Sequence, residues 1–149
     1  MATITQVRDR FKNLLSSMSS IIISTFKDTE KDAVELQQDQ WDKGQRSGGG
    51  QIGQYSSFTK SLKAKKGQET KFVNLQDSKE LINSIKFISI SSEFAEIDAT
   101  DWKRNEVVSG DNNYGEDIFG LTDGNMSIYS HHSWFRTFTN KIKAKLWQK

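Results

Sequence analysis

Cysteine and proline are both missing from the 149 residues. Without a thiol there is no disulfide framework, no thiolate metal site and no cysteine nucleophile, which suits an intracellular or cytoplasmically assembled product. Without proline, where about 5% is average, the turns must be made by Gly, Asn, Asp and Ser. Large aliphatic residues are thin as well: apolar types make up 34% of the chain and charged types 27%. A single copy therefore buries a modest core, and partners are expected to complete it. Long hydrophobic runs are absent too, the longest aliphatic stretch being Ile21-Ile22-Ile23, far short of a bilayer span. The N-terminus lacks the apolar core of a signal peptide, so a soluble chain with no membrane contact is expected. Charge is nearly balanced, 21 basic against 19 acidic residues, so any electrostatic role has to be local. The length suits one domain with a projecting element.

What is present begins with a helical signal. Ile4, Val7, Phe11, Leu14, Met18 and Ile21 recur at a 3-4-3-4-3 spacing that puts all six on one stripe. With fewer than three heptads the simpler reading is core packing of that stripe rather than a coiled coil. A second helix is expected from Asp28 or Thr29, with Asp28, Glu30 and Asp32 at its positive end. Its better face holds Ala33, Leu36 or Gln37, Gln40 and Trp41; the stripe is weak, which suggests an outer helix ending near Lys43-Gly44.

Next comes a glycine-rich segment, 44–55, read as a projecting loop, followed by a basic helix on which Tyr55, Phe58 and Leu62 share a face among Lys60, Lys63, Lys65 and Lys66. Gly48, Gly50 and Gly53 satisfy G-x-G-x-x-G literally, but a helix rather than a strand precedes them, and no Gly-Lys-Ser/Thr follows. The glycines read as a flexible, partner-docking loop. Its candidate binding residues are Arg46, Gly48, Gly49, Gly50, Ile52, Gly53, Tyr55, Phe58, Lys60 and Lys63, with Ile52 and Tyr55 as anchors. The lysines meet solvent, an acidic neighbour or a DNA backbone.

Beyond the loop the signals are short. Asp77 or Ser78 is expected to cap a brief helix through Leu81-Ile82. Ile85 to Ser91 and Phe94 to Ala99 alternate and are β-branched, which predicts an antiparallel hairpin turning at Ser91-Ser92-Glu93. A short helix over Trp102 to Val108, an apolar plug of Ile118, Phe119 and Leu121, and a long last helix capped by Thr122 or Asp123 complete the α+β reading. Ile128, Phe135, Phe138, Ile142 and Leu146 are expected to face inward on that helix, and Lys141, Lys143, Lys145 and Lys149 to sit at its negative end.

Catalytic chemistry is hard to find. His131 and His132 are the only histidines; neighbours on a helix point about 100° apart, so they cannot chelate one metal as an i,i+4 pair could. Asp111, Glu116 and Asp117 could serve a small metal-dependent nuclease only if further groups converged on them. No serine lies in a nucleophile elbow. Neither enzymatic activity nor a metal or cofactor is expected.

Three blocks, in this order, carry a resemblance. They are L-Q-Q-D-Q-W-D-K-G from Leu36 to Gly44 with I-G-Q-Y-S from Ile52; K-K-G-Q-E-T-K-F-V-N-L-Q-D-S from Lys65 with N-S-I-K-F from Asn83; and Y-G-E-D-I-F-G-L-T from Tyr114 to Thr122. Together they resemble a family of small structural proteins of tailed phages infecting Bacteroidetes, the tail-completion or head-tail connector type. Many members have Thr-Gly-x-Phe after the V-N-L block, where this chain has Asp77-Ser78-Lys79-Glu80-Leu81. The resemblance implies a virion protein assembled in the host cytoplasm, forming a ring with copies of itself beside other neck, portal or tail proteins. It implies structural roles for Trp41, Tyr114, Gly115, Ile118, Phe119 and Leu121, and brings no catalytic residues. A DNA-binding or packaging accessory in contact with packaged DNA is the first rival, and the small nuclease the second.

Overall fold

The computed structural model describes residues 3–76, 79–110 and 114–147. Its organising element is one helix, α1, running unbroken over Ile4–Asp42, about 58 Å at the standard rise. Two helices were expected in this stretch; there is one, because nothing between Ile21 and Asp42 breaks it. Asp28, Glu30 and Asp32 look like the acidic first turn of a new helix but sit mid-helix as exposed or half-buried side chains. Thr3 opens α1 with a reciprocal capping box to Gln6. Gly44, at φ +67°, ends it as anticipated.

The supposed outer half of α1 is its most buried part. Thr25, Thr29, Ala33, Gln37, Gln40 and Trp41 line the core face, and each polar one makes at least one hydrogen bond in place, although Gln37 Oε1 is buried without a partner among the described residues. Thr25 and Thr29 donate back to the carbonyls of Ile21 and Thr25 at 2.7 and 2.8 Å. Gln40 donates to the Gly120 carbonyl at 2.9 Å and accepts from the Thr122 amide at 2.8 Å. A face that looks weak by hydrophobicity is thus a buried one with most of its hydrogen bonds made.

After α1 come α2 (Ser57–Lys65), α3 (Glu80–Asn83), strands β1 (Ile85–Ile90) and β2 (Ala95–Ala99), α4 (Lys103–Ser109), a 3-10 turn (Glu116–Ile118), α5 (Asp123–Ile128), a π-helical segment (Tyr129–Trp134) and α6 (Phe135–Trp147). The α+β expectation stands: a long N-terminal helix, one antiparallel two-stranded sheet and a long C-terminal helical run. The hairpin turns where expected, with Ser91 Oγ accepting from the Glu93 and Phe94 amides. A bulge between Phe87 and Ser89 turns Ile88 outward. The expected Asp77 or Ser78 cap lies outside the described residues, whereas Thr122 caps α5 through the Asn125 amide.

Chain segments 123–147 return antiparallel along α1. Near the body the contacts are Asn125 with Leu36 and Gln40, then Tyr129 with Thr29; further out Lys141 meets Ser24 and Asp28, and Arg10 reaches the Leu146 carbonyl. Aromatic rings gather where β1 meets this pair, Phe26 against Phe87 and Trp134, and Trp134 stacked on Phe138 at 4.8 Å. The core of the body is a single cluster around Trp41, Ile52, Val73, Ile85, Ile118 and Phe119.

The projecting element is therefore a two-helix arm, residues 4–24 of α1 with α6, rather than the glycine loop. Its apolar stripe is only partly covered. Leu14 and Ile21 are buried, but Ile4 is 90% exposed, Phe11 53% and Val7 42%, and Leu15 beside the stripe is 69% exposed; core packing of the whole stripe does not occur. On the last helix Phe138, Ile142 and Leu146 are half-buried as expected, whereas Ile128 and Phe135 point outward and Tyr129 is buried instead. The π segment contributes to the outward turn of Phe135, since an i,i+5 turn shifts the faces that follow it.

Candidate assembly surface

Two of the sequence blocks that carry the resemblance meet in space, together with the start of the V-N-L segment. Trp41, fully buried, donates its indole N–H to the Ile118 carbonyl at 2.7 Å and packs on Phe119 with ring centroids 5.4 Å apart. Gln37 donates to the same carbonyl at 3.2 Å. The segment Tyr114 to Leu121 is held by these bonds, its Ile118 fully buried, its Phe119 nearly so and its Leu121 half-buried. The expected apolar plug exists, and the carboxyl-terminal end of α1 is what it plugs.

The glycine segment is strapped to that plug, so its reading as a projecting loop is corrected. Arg46 grips Asp117 with one guanidinium nitrogen 2.9 Å from each carboxylate oxygen, while its other nitrogens donate to the Gln51 and Ile52 carbonyls. The Ser47 amide donates to the Asp117 carbonyl, and the Ile52 amide to the Gly44 carbonyl at 2.8 Å. Ile52, expected to anchor a partner-docking arm, is buried in the chain's own core. The Arg46 amide donates to Gly50 and the Gly49 amide to Arg46, so the tip is a turn that spends its own donors. Within 44–55 only Gly48, Gly49, Gly50, Gln51 and Gln54 are exposed. Gly53 comes against the Tyr114 ring, and Gly115 takes a positive φ of 84° at the start of the turn.

At Gly44 the fold depends on the missing side chain. An added Cβ would lie 2.4 Å from a Phe72 ring atom, at a backbone conformation that L residues rarely adopt. Gly44→Ala is expected to cost about 2 kcal/mol, read as a lowered denaturant midpoint, whereas Gly49→Ala, in open space though also at positive φ, should cost about 1 kcal/mol.

Tyr55, the second anchor, is held by a hydrogen bond from its hydroxyl to Asn74 Oδ1 at 2.9 Å, and accepts from the Asn74 amide. Lys63 is not a surface lysine as expected; it is buried, with its ammonium 4.8 Å from the centre of the Tyr55 ring. Phe58 is 72% exposed and Lys60 reaches Gln54, so Tyr55 and Phe58 do not share a packed face. The basic helix thus offers Phe58, Lys60 and Lys65 outward, and Lys63 inward.

The acidic residues considered for a nuclease are engaged differently. Asp117 belongs to Arg46, and Glu116 pairs with Arg104, which also clasps buried Asp98 through contacts of 2.7 and 2.8 Å. Asp111 lies outside the described residues. Among the described residues no three His, Cys, Asp or Glu side chains gather as a metal site, and no helix is long and apolar enough to cross a membrane. His131 bonds the Ser127 carbonyl from an exposed position.

Two phenols ionise with difficulty. Burial pushes Tyr129 up, opposed in part by the hydrogen bond with the Thr29 hydroxyl, with Asp32 and Glu30 adding smaller upward effects, and burial with the nearby Tyr55 pushes Tyr114 up. Folded tyrosines that hold their protons more tightly than the unfolded chain contribute stability below the unfolded value, about 10, and lose it as pH rises through the folded values. Denaturant midpoints are expected to fall on raising the pH above that point, and Tyr129→Phe should flatten the fall. A midpoint that is level across this range contradicts the burial of these rings.

What sequence reasoning missed is the arm as an exposed surface and the charge it bears. Residues 4–24 with α6 hold seven basic side chains, Arg8, Arg10, Lys12, Arg136, Lys141, Lys143 and Lys145, against Asp9 alone. The signal was available as a charge count once the arm's limits were known. The chain matches no protein-family model, no curated protein and no solved structure, so the functional reading rests on its geometry and its motif blocks.

Proposed function

We propose that this chain is a non-enzymatic, ring-forming structural subunit of a tailed-phage virion, acting in assembly at the head-tail junction or upper tail. The observation that carries the reading is the uncovered arm. Ile4, Phe11 and Leu15 on α1, with Phe135 and Trp147 on α6, stand exposed on an element that the rest of the chain does not cover. Apolar surface concentrated on a projecting helix pair is what a subunit offers a neighbour. The knot of Trp41, the glycine segment and Tyr114 to Leu121 gives the rigid body from which the arm extends, and these are the blocks through which the chain resembles connector and tail-completion proteins. Partners are copies of itself and other neck, portal or tail proteins, and the product belongs to the virion. Electron microscopy of the purified chain, with mass measurement of the particles, tests the reading: closed rings support it, and a monomer that is also absent from purified virions refutes it.

A DNA-facing role is the second reading, favoured by the basic excess on the arm. Phosphate contacts weaken steeply with salt, so duplex binding measured at two salt concentrations separates it from protein assembly.

A further inference from the structure

We infer that the arm of one copy docks into an acid-rimmed apolar groove on the body of the next, a head-to-tail contact between identical chains. The inference rests on the ring reading and names the two surfaces that would join.

One half of the joint is the outer face of α1. Ile4, Arg8, Phe11, Lys12 and Leu15 fall at i, i+4, i+7, i+8 and i+11, one helical face on which apolar and basic residues alternate. The three apolar members are more than half exposed, and among the described residues Lys12 makes no ion pair. The other half is a groove of about 560 Å³ between the hairpin and the helical pair, with Phe26, Phe87, Phe94, Ile97, Met126 and Tyr129 among its walls. Phe94 and Met126 are about half exposed at its mouth. Glu93 and Glu96 line it from the hairpin, and Asp32 lies close enough to disfavour ionisation of the Tyr129 phenol. Its one basic lining residue, Arg104, is already matched by Asp98 and Glu116.

Charge and geometry select the occupant. The arm carries a net charge of +6, seven basic residues against one acidic, whereas residues 25–134 carry thirteen basic against eighteen acidic, a net of −5. Like charge opposes pairing of two arms, and opposite charge favours arm on body. An arm cannot reach its own groove. Phe26, in the groove wall, lies on the same straight helix, about 17 Å from Leu15 and about 33 Å from Ile4 along the axis. A surface that fits a different surface of the next copy builds a heterologous chain of contacts, which closes into a ring when the rotation permits.

Complementary variants test the contact. Arg8→Glu with Lys12→Glu spoils the arm, and Glu93→Lys with Glu96→Lys spoils the groove; all four side chains are exposed, so the fold should survive, as circular dichroism and the denaturant midpoint would verify. Each double variant alone is expected to weaken self-association at least about tenfold in sedimentation velocity. Mixing the two gives a charge-swapped joint in one orientation and an intact joint in the other. The arm-reversed chain with an intact groove therefore accepts the wild-type arm of its companion, and the mixture should regain association that neither has alone. Combining all four changes in one chain should likewise restore assembly. Wild-type rings that persist unchanged in both variants overturn the docking mode while leaving the ring reading intact. A wild-type chain that stays monomeric at every concentration overturns the docking outright, and virion content then decides the ring reading by itself. Loss of duplex DNA binding in the arm variant with self-association unchanged assigns the arm to nucleic acid and overturns the contact proposed.

Discussion

Trp41→Ala should remove about 4 kcal/mol of folding stability, the scale of burying and then losing a core tryptophan. Trp41 is fully enclosed, and its ring joins α1 to Phe119 while its N–H holds the Ile118 carbonyl. A small domain has about 5–15 kcal/mol in hand, so this one truncation consumes a large share of it and is expected to lower the urea midpoint substantially. Trp41→Phe separates the two contributions. It keeps an aromatic ring, and the Ile118 carbonyl still accepts from Gln37, so about 1–2 kcal/mol should be lost. If the alanine variant unfolds at nearly the wild-type midpoint, the glycine segment and the Tyr114 to Leu121 segment are not pinned through this residue.

Arg104→Leu is the second large effect, expected to cost about 3 kcal/mol. Arg104 ties β2 to the 3-10 turn by clasping Asp98 and Glu116, and its guanidinium lies 5.5 Å from the centre of the Phe119 ring. Hydrogen bonding to Asp98 comes first among the causes that push its already high ionisation further up, so it stays charged at any ordinary pH. Removing it leaves the Asp98 carboxylate buried with the Ala99 amide as its remaining donor. Most of the loss comes from that stranded charge rather than from the attraction itself. Adding Asp98→Asn to Arg104→Leu should therefore recover stability relative to Arg104→Leu alone. Urea titration of the two single variants and the double variant reads this directly; strictly additive losses contradict it.

The parts that local chemistry dictates were readable in advance. The hairpin follows from alternation between Ile85 and Ala99 with a Ser91 turn, the α1 stop from Gly44, and the α5 start from Thr122. Two features were not readable, for physical reasons. The inner half of α1 hides behind Thr25, Thr29, Gln37 and Gln40: the threonines donate to carbonyls one turn back, and the glutamine amides donate to the Ile118 and Gly120 carbonyls, 81 and 80 residues further along the chain; periodicity of hydrophobicity cannot see a polar face buried in this way. The glycine segment was read as mobile because its composition is, yet Arg46 and Ile52 fasten it. The bond from Arg46 to Asp117 spans 71 residues, a separation at which sequence offers no spacing rule. The stripe from Ile4 to Ile21 was correctly periodic, but periodicity names a face without naming what covers it. Only the exposure of Ile4, Val7 and Phe11 turns its outer end outward.

The central claim is that this chain assembles with itself into a closed ring. Native mass measurement of the purified protein, with images of the same sample, tests that most directly. A single oligomer mass that is a whole multiple of the subunit and a closed annular outline is the predicted result. A monomer across the whole concentration range that is also absent from purified virions, or open filaments with no fixed mass, would contradict it.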